Sequence, residues 1–150
     1  MESATQPERK QRILFLMNRW DSSAGGIQTV NRELACAVAQ QFSDIECVAI
    51  VTQATSAERQ DAYARGVTLV AGNAEDNWAS AVLSPELAKI PSDDVIAVVG
   101  HSYFSGGEAT LLRKRFFAQS IGVHFIHMSP LDTESLKEYR KHSYIACSSG

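Results

Sequence analysis

Apolar residues in this chain come as short runs separated by longer amphipathic stretches. Ile13-Leu14-Phe15-Leu16-Met17 is an unbroken apolar run, the pattern of a strand buried on both faces rather than of a one-sided hairpin strand. After it, Val30, Leu34 and Val38 recur at helical spacing beside Ala35, Cys36, Ala37 and Ala39. Small residues on that stretch let a helix ending near Phe42 pack closely on something flat. The alternation continues with a strand over Ile45–Val51, a helix over Ala57–Arg65 stopped by Gly66, and a strand over Val67–Ala71. Between Asn73 and Pro91, the positions Trp78, Val82, Leu83 and Leu87 suggest a helix, which Pro85 must break or restart. Asp94–Val99 reads as a fourth strand, Glu108–Phe117 as a helix and Val123–Met128 as a fifth strand. Thr133–Arg140 reads as a helix with Asp132 as its N-cap, and Tyr144–Ser148 as a sixth strand.

Strands alternating with helices, without hairpin signals, predict an α/β fold. The expected form is a doubly wound, mainly parallel sheet of about six strands with helices on both faces. Ligands of such sheets bind outside the carboxyl ends of the strands, which directs attention to the loops 18–27, 100–107 and 127–132.

Composition narrows the function classes. With 150 residues, 45% hydrophobic and 21% charged, the chain supports one core and one domain. A net charge of −3 gives no footprint for nucleic acid, and Arg113-Lys114-Arg115 is too short a basic cluster to create one. No nucleic-acid partner is expected. Cys36, Cys47 and Cys147 are scattered, with no C-x-x-C pair, as in a reducing compartment. The opening MESATQPERKQ is polar, so residues 1–11 are expected to form a disordered tail without a leader, and no run approaches a membrane span. The expected location is cytoplasmic.

The first loop ends in Gly25-Gly26, between strand one and a helix N-terminus, where free N–H groups and the helix dipole favour an anion and where glycine lets a ligand reach the main chain. A tight strand-to-helix turn would use the same residues. The fingerprint G-x-G-x-x-G is absent, and Val51-Thr52-Gln53 stands where its acidic partner is expected, which argues against a nicotinamide or flavin cofactor. In Gly100-His101-Ser102-Tyr103-Phe104, Ser102 tempts a nucleophile-elbow reading. Phe104 occupies the position that requires glycine, so a serine hydrolase ranks last. His101 and His127 each follow a central strand and can face the same crevice, as neutral imidazoles able to bond a hydroxyl or a phosphate. His124 and His127 lie three apart on a strand and point to opposite faces, so no metal site is expected. Phe116 and Phe117 read as core.

Taken together, Gly25-Gly26 with Leu34-Ala35, the strand from Asp94 ending in Gly100-His101, Val123-His124-Phe125-Ile126-His127, and Tyr139-Arg140-Lys141-His142-Ser143-Tyr144-Ile145-Ala146-Cys147-Ser148 resemble the N-terminal half of a GT-B glycosyltransferase of the family-4-like type. The resemblance implies a Rossmann-like N-terminal domain over residues 12–150, incomplete, holding mainly the acceptor, and a separate C-terminal domain for a nucleotide-sugar donor, absent from this sequence. It implies a retaining sugar transferase, with the donor as substrate and no further cofactor. His101 matches the histidine near the transferred sugar. Gly25, Gly26, Gln28, Ser102 and His127 would bind substrate, with the glycines leaving room for sugar and diphosphate. Gly100-His101-Ser102 replaces a His-x-His of many relatives, and Met128 replaces an aspartate after His127. The chain alone is expected to be inactive, its other half supplied by a C-terminal domain or a partner chain. The alternative is a stand-alone module that binds a sugar phosphate or a nucleotide, or docks to a partner, without catalysis.

Overall fold

A computed structural model describes residues 10–21, 23, 25–73 and 78–127, with backbone alone at 103 and 104. The elements are β1 (Gln11–Leu16), α1 (Gly26–Gln41), β2 (Ile45–Val51), α2 (Ser56–Ala64), β3 (Val67–Ala71), α3 (Trp78–Val82), α4 (Pro85–Ala88), β4 (Val95–His101), α5 (Ser102–Phe116) and β5 (Ile121–Phe125), with a 3-10 turn at Ser92–Asp94 before β4. The expected helix over Thr133–Arg140, its Asp132 cap, the sixth strand and Cys147 lie outside the described residues.

Among the described residues the sheet has five strands where about six were expected, in the order β3-β2-β1-β4-β5. Every neighbouring pair is parallel. The chain winds outward from β1 to β3, then returns to lay β4 on the other side of β1. That reversal makes the β1/β4 junction the switch point of a doubly wound, Rossmann-like sheet.

Alternate residues of each strand feed two cores, because successive side chains leave opposite faces. On one face Phe15, Met17, Ala49, Val51, Leu69 and Val99 pack with Ala35 and Cys36 of α1 and Ala62 of α2. On the other, Leu14, Leu16, Val48, Ile50, Val70 and Val98 pack with Ala81 of α3, Leu87 of α4, and Ala109 and Leu112 of α5. Cys36 and Cys47 are buried thiols, and burial pushes the Cys47 thiol up to about 11. Of the two phenylalanines read as core, Phe117 is buried and Phe116 is 40% exposed.

Pro85 restarts rather than kinks the middle segment. It opens α4, and Ser84 caps that helix by accepting from the Leu87 N–H, so the missing proline donor is one the first turn leaves unpaired anyway. The larger departure is α5, which begins at Ser102 rather than Glu108. The glycine-rich loop expected over 100–107 is the end of β4 and the first turns of a helix. Gly100 permits the junction, since a Cβ there would lie 2.7 Å from Ala109 Cβ and 2.8 Å from the Ser105 carbonyl oxygen.

At the amino edge of the sheet Arg12 ties β1 to both neighbours. Its Nε donates to Glu46 Oε2 at 2.7 Å and its Nη1 to Asp94 Oδ2 at 2.8 Å. The side chains are only 20%, 26% and 12% exposed, so the pairs are better shielded than surface ion pairs. The register between β1 and β4 shifts between Arg12 and Ile13, and the guanidinium spans that irregularity. Arg12→Leu is expected to lower stability by about 1–2 kcal/mol, since it removes the shared guanidinium from two largely buried carboxylates. The urea midpoint, with an unchanged m-value, measures the loss.

Candidate functional site

The parallel sheet brings every strand's carboxyl end to one edge, and the switch point places the ends of β1 and β4 side by side there. Phe15 is level with Val99, so Met17 and His101 stand level one step further along. Val99 belongs to the α1-side core. His101, two residues later, faces the same side.

On the β1 side the loop is pinned before it reaches the glycines. Thr52 donates twice to the Asn18 carbonyl, from its N–H at 3.2 Å and its hydroxyl at 2.9 Å. Trp20 is 1% exposed and donates its Nε1–H to Asp61 Oδ2 of α2 at 2.8 Å. That bond, ahead of the effect of Arg65, holds the Asp61 carboxyl below the usual range. Asp21 is likewise lowered, chiefly by the Ser23 hydroxyl. Asn31 of α1 donates Nδ2–H to the Leu16 carbonyl at 2.8 Å, fixing the helix against the end of β1.

Gly25 and Gly26 have different reasons to be glycine. Gly25, the N-cap of α1, has φ +114°, a conformation that side chains rarely adopt. Gly26 has no such φ, and a Cβ on it would meet nothing within 4 Å. Among the described residues nothing demands glycine at 26, and open space lies beside it. The N-terminus of α1 has no side-chain cap and no acidic residue in its first turn. Of the other helices, α2 and α4 are capped by Thr55 and Ser84, while α5 shares with α1 the lack of a side-chain cap and of an acidic first turn. Gln28 sits in that turn, 6% exposed, with Oε1 buried and without a hydrogen-bond partner; Asn31 Oδ1 is in the same position.

On the β4 side, His101 and His127 are joined, His101 Nδ1 to His127 Nε2, at 2.7 Å. The rings are within 12° of parallel with centroids 5.0 Å apart. The bond plus two ring radii accounts for that spacing, so the imidazoles meet edge to edge. Phe125, two positions before His127, stacks face-on with His101 at 4.9 Å and 15°. His101 is 1% exposed. Burial first, then the charges of His127 and His124, lowers its pKa to about 4. A doubly charged pair would bring two N–H groups nose to nose, so at neutral pH His101 is an uncharged imidazole. Its Nε2 is buried without a partner. Whichever ring donates to the other, one polar atom of His101 remains unsatisfied.

Ser102 has φ +43°, the one positive-φ non-glycine among the described residues, a conformation costing on the order of 1 kcal/mol. Its Oγ accepts from the His127 backbone N–H at 3.2 Å, and its carbonyl accepts from His124 Nε2 at 2.9 Å. The left-handed turn is shared with a nucleophile elbow. The base is not: among the described residues the Ser102 hydroxyl meets the His127 backbone N–H, and His124 Nε2 meets the Ser102 carbonyl rather than its hydroxyl. His124 lies on the α5 side and His127 on the α1 side of the sheet, and no group of three metal-ligating side chains occurs among the described residues.

His101, Ser102 and His127 therefore form one network at the β4/β5 end. Gly25, Gly26 and Gln28 stand at the β1/α1 end of the same edge. Trp20, Asn31 and Phe125 are the residues the sequence analysis passed over. A buried tryptophan just before a glycine pair is a visible signal in retrospect, whereas the roles of Asn31 and Phe125 depend on neighbours distant in sequence. No helix of the described residues is long and apolar enough to cross a membrane.

No curated protein and no solved structure matches the chain. A family model, however, that of the family 4 glycosyltransferases in conflict systems, matches residues 14–147. It runs from within β1 past β5, and so includes both the α1 N-terminus and the histidine pair. A Rossmann-like sheet with this edge, matched over nearly its whole length, places the chain in the family 4 glycosyltransferases in conflict systems.

Proposed function

We propose that the chain is the acceptor-side half of a retaining glycosyltransferase that moves a sugar from a nucleotide-sugar donor, and that it is inactive until a donor-binding half is supplied. The observation that carries this reading is the pairing, at one switch-point edge, of an uncapped helix N-terminus beside open space at Gly26 with a buried, neutral His101 whose Nε2 lacks a partner. The first suits a phosphate, through free N–H groups and the helix dipole. The second suits a sugar hydroxyl, which pairs with a neutral imidazole without requiring charge. Donors aimed at the leaving phosphate are the largest contribution such a site supplies without a metal. In this reading His101 is the catalytic residue, Gly25, Gly26 and Gln28 line the phosphate and acceptor side, and Ser102 and His127 face the sugar.

Binding is measurable without turnover. In calorimetry the chain is expected to bind a nucleotide sugar such as UDP-glucose or GDP-mannose, and Gly26→Trp to weaken that binding at least about tenfold with little change in melting temperature, because nothing lies within 4 Å of where its Cβ would stand. Absence of binding by any of a panel of nucleotide sugars and nucleoside diphosphates at millimolar concentration refutes a phosphate site at Gly25-Gly26 in the chain by itself. Alone, the chain is expected to give no transfer product.

The depressed His101 pKa also fixes a pH dependence. The unfolded histidine takes up a proton near pH 6.5, whereas the folded one refuses it until about 4. The unfolded state therefore binds more protons in that window, and stability falls as pH drops from 6.5 towards 4. Urea midpoints between pH 7 and 4.5 should fall more steeply for the wild type than for His101→Gln.

A further inference from the structure

We propose that His124 is a positioning residue: by donating its Nε2–H to the Ser102 carbonyl it holds the β4–α5 turn in its left-handed conformation and so sets the His101–His127 pair. The assignment of the donor is unambiguous, since a carbonyl only accepts and the 2.9 Å contact requires the proton to be on the imidazole. β5 grips the turn from both sides of the sheet. His124 is level with Gly100 and Phe125 with His101; His124 reaches Ser102 under α5, while Phe125 stacks on His101 on the opposite face. A third hold comes from the His127 N–H on Ser102 Oγ.

Close packing at Gly106 supports the same role. A Cβ there would stand 2.3 Å from His124 Nε2 and 2.6 Å from its Cε1. The second turn of α5 is thus a seat for this imidazole that no other residue type leaves open. Ser102 is the residue through which any shift of the turn passes, because it joins His101 directly to α5. Released from its carbonyl bond, it relaxes towards ordinary helical φ and carries His101 out of line with His127. The groups facing His101 are His127 and, across the strand, His124. The inference rests on the transfer reading only for what the histidine pair is used for.

The test is an NMR comparison of the whole chain with three variants. His124→Phe keeps a ring without the donor. Gly106→Ala keeps the imidazole but displaces it, and His124→Gln restores a donor. The Ser102 Cα and Cβ shifts report its φ, and the imidazole C–H signals report the His101 titration. Both His124→Phe and Gly106→Ala are expected to move the Ser102 shifts to helical values and to raise the His101 midpoint from about 4 towards the ordinary histidine range, about 6.5, with His124→Gln close to wild type. Wild-type Ser102 shifts and His101 titration in both disruptive variants overturn the proposal. Where transfer is reconstituted with a donor half, His124→Phe is expected to lower kcat about tenfold with KM little changed. A chain that shows no transfer in any form refutes the functional reading, while the NMR comparison still decides the role of His124.

Discussion

β1 is hydrogen-bonded on both edges and covered on both faces, and every other element takes its position from it. Phe15 and Met17 face α1, Leu14 and Leu16 face the α3–α5 layer, and all four are at most 1% exposed. A strand so enclosed has one way to end, at an edge where its carbonyls and the next helix must find partners. That edge is where Asn31 accepts the task of satisfying Leu16 and Thr52 that of satisfying Asn18. Parallel pairing then carries the ends of the other strands to the same edge, so the burial of one strand fixes where polar chemistry collects.

The cores and most of the elements were legible because they depend on local pattern. β2 and β3 occur over the ranges read from their apolar runs, and α1 and α2 differ by a residue at their ends. The start of α5 was not legible, and the reason is tertiary. Gly106 and Gly107 disfavour a helix by propensity, but α5 incorporates both, Gly106 because only a glycine admits the His124 imidazole. The positive φ of Ser102 turns strand into helix without a loop, against the ordinary preference of a serine. Sequence reasoning brought His101 and His127 to adjacent strand ends. It did not foresee that they bond each other, since the two lie 26 positions apart and their meeting depends on the β4/β5 register.

The glycine pair divides in the same manner. Gly25 is explained by its own dihedral, a constraint the strand-to-helix turn would impose on any protein. Gly26 is explained by nothing that the described residues place nearby, and under the proposed reading its small size leaves room for a ligand. The distinction is invisible in the letters Gly-Gly and follows only from where the backbone runs.

The α1 and β4 ends of this sheet edge also differ in the charge they can handle. The α1 end offers N–H groups and a positive dipole end in an exposed, uncapped turn, which favours a negative group without any titration. The β4 end offers an imidazole that burial and two neighbouring histidines keep uncharged well below neutral pH. A cationic histidine beside a phosphate would attract the ground state and the leaving group alike, and uniform attraction does not lower a barrier. Under the proposed transfer reaction the neutral ring instead recognises a hydroxyl, and the work of stabilising the departing phosphate falls to the helix end, where the donors are fixed before the substrate arrives.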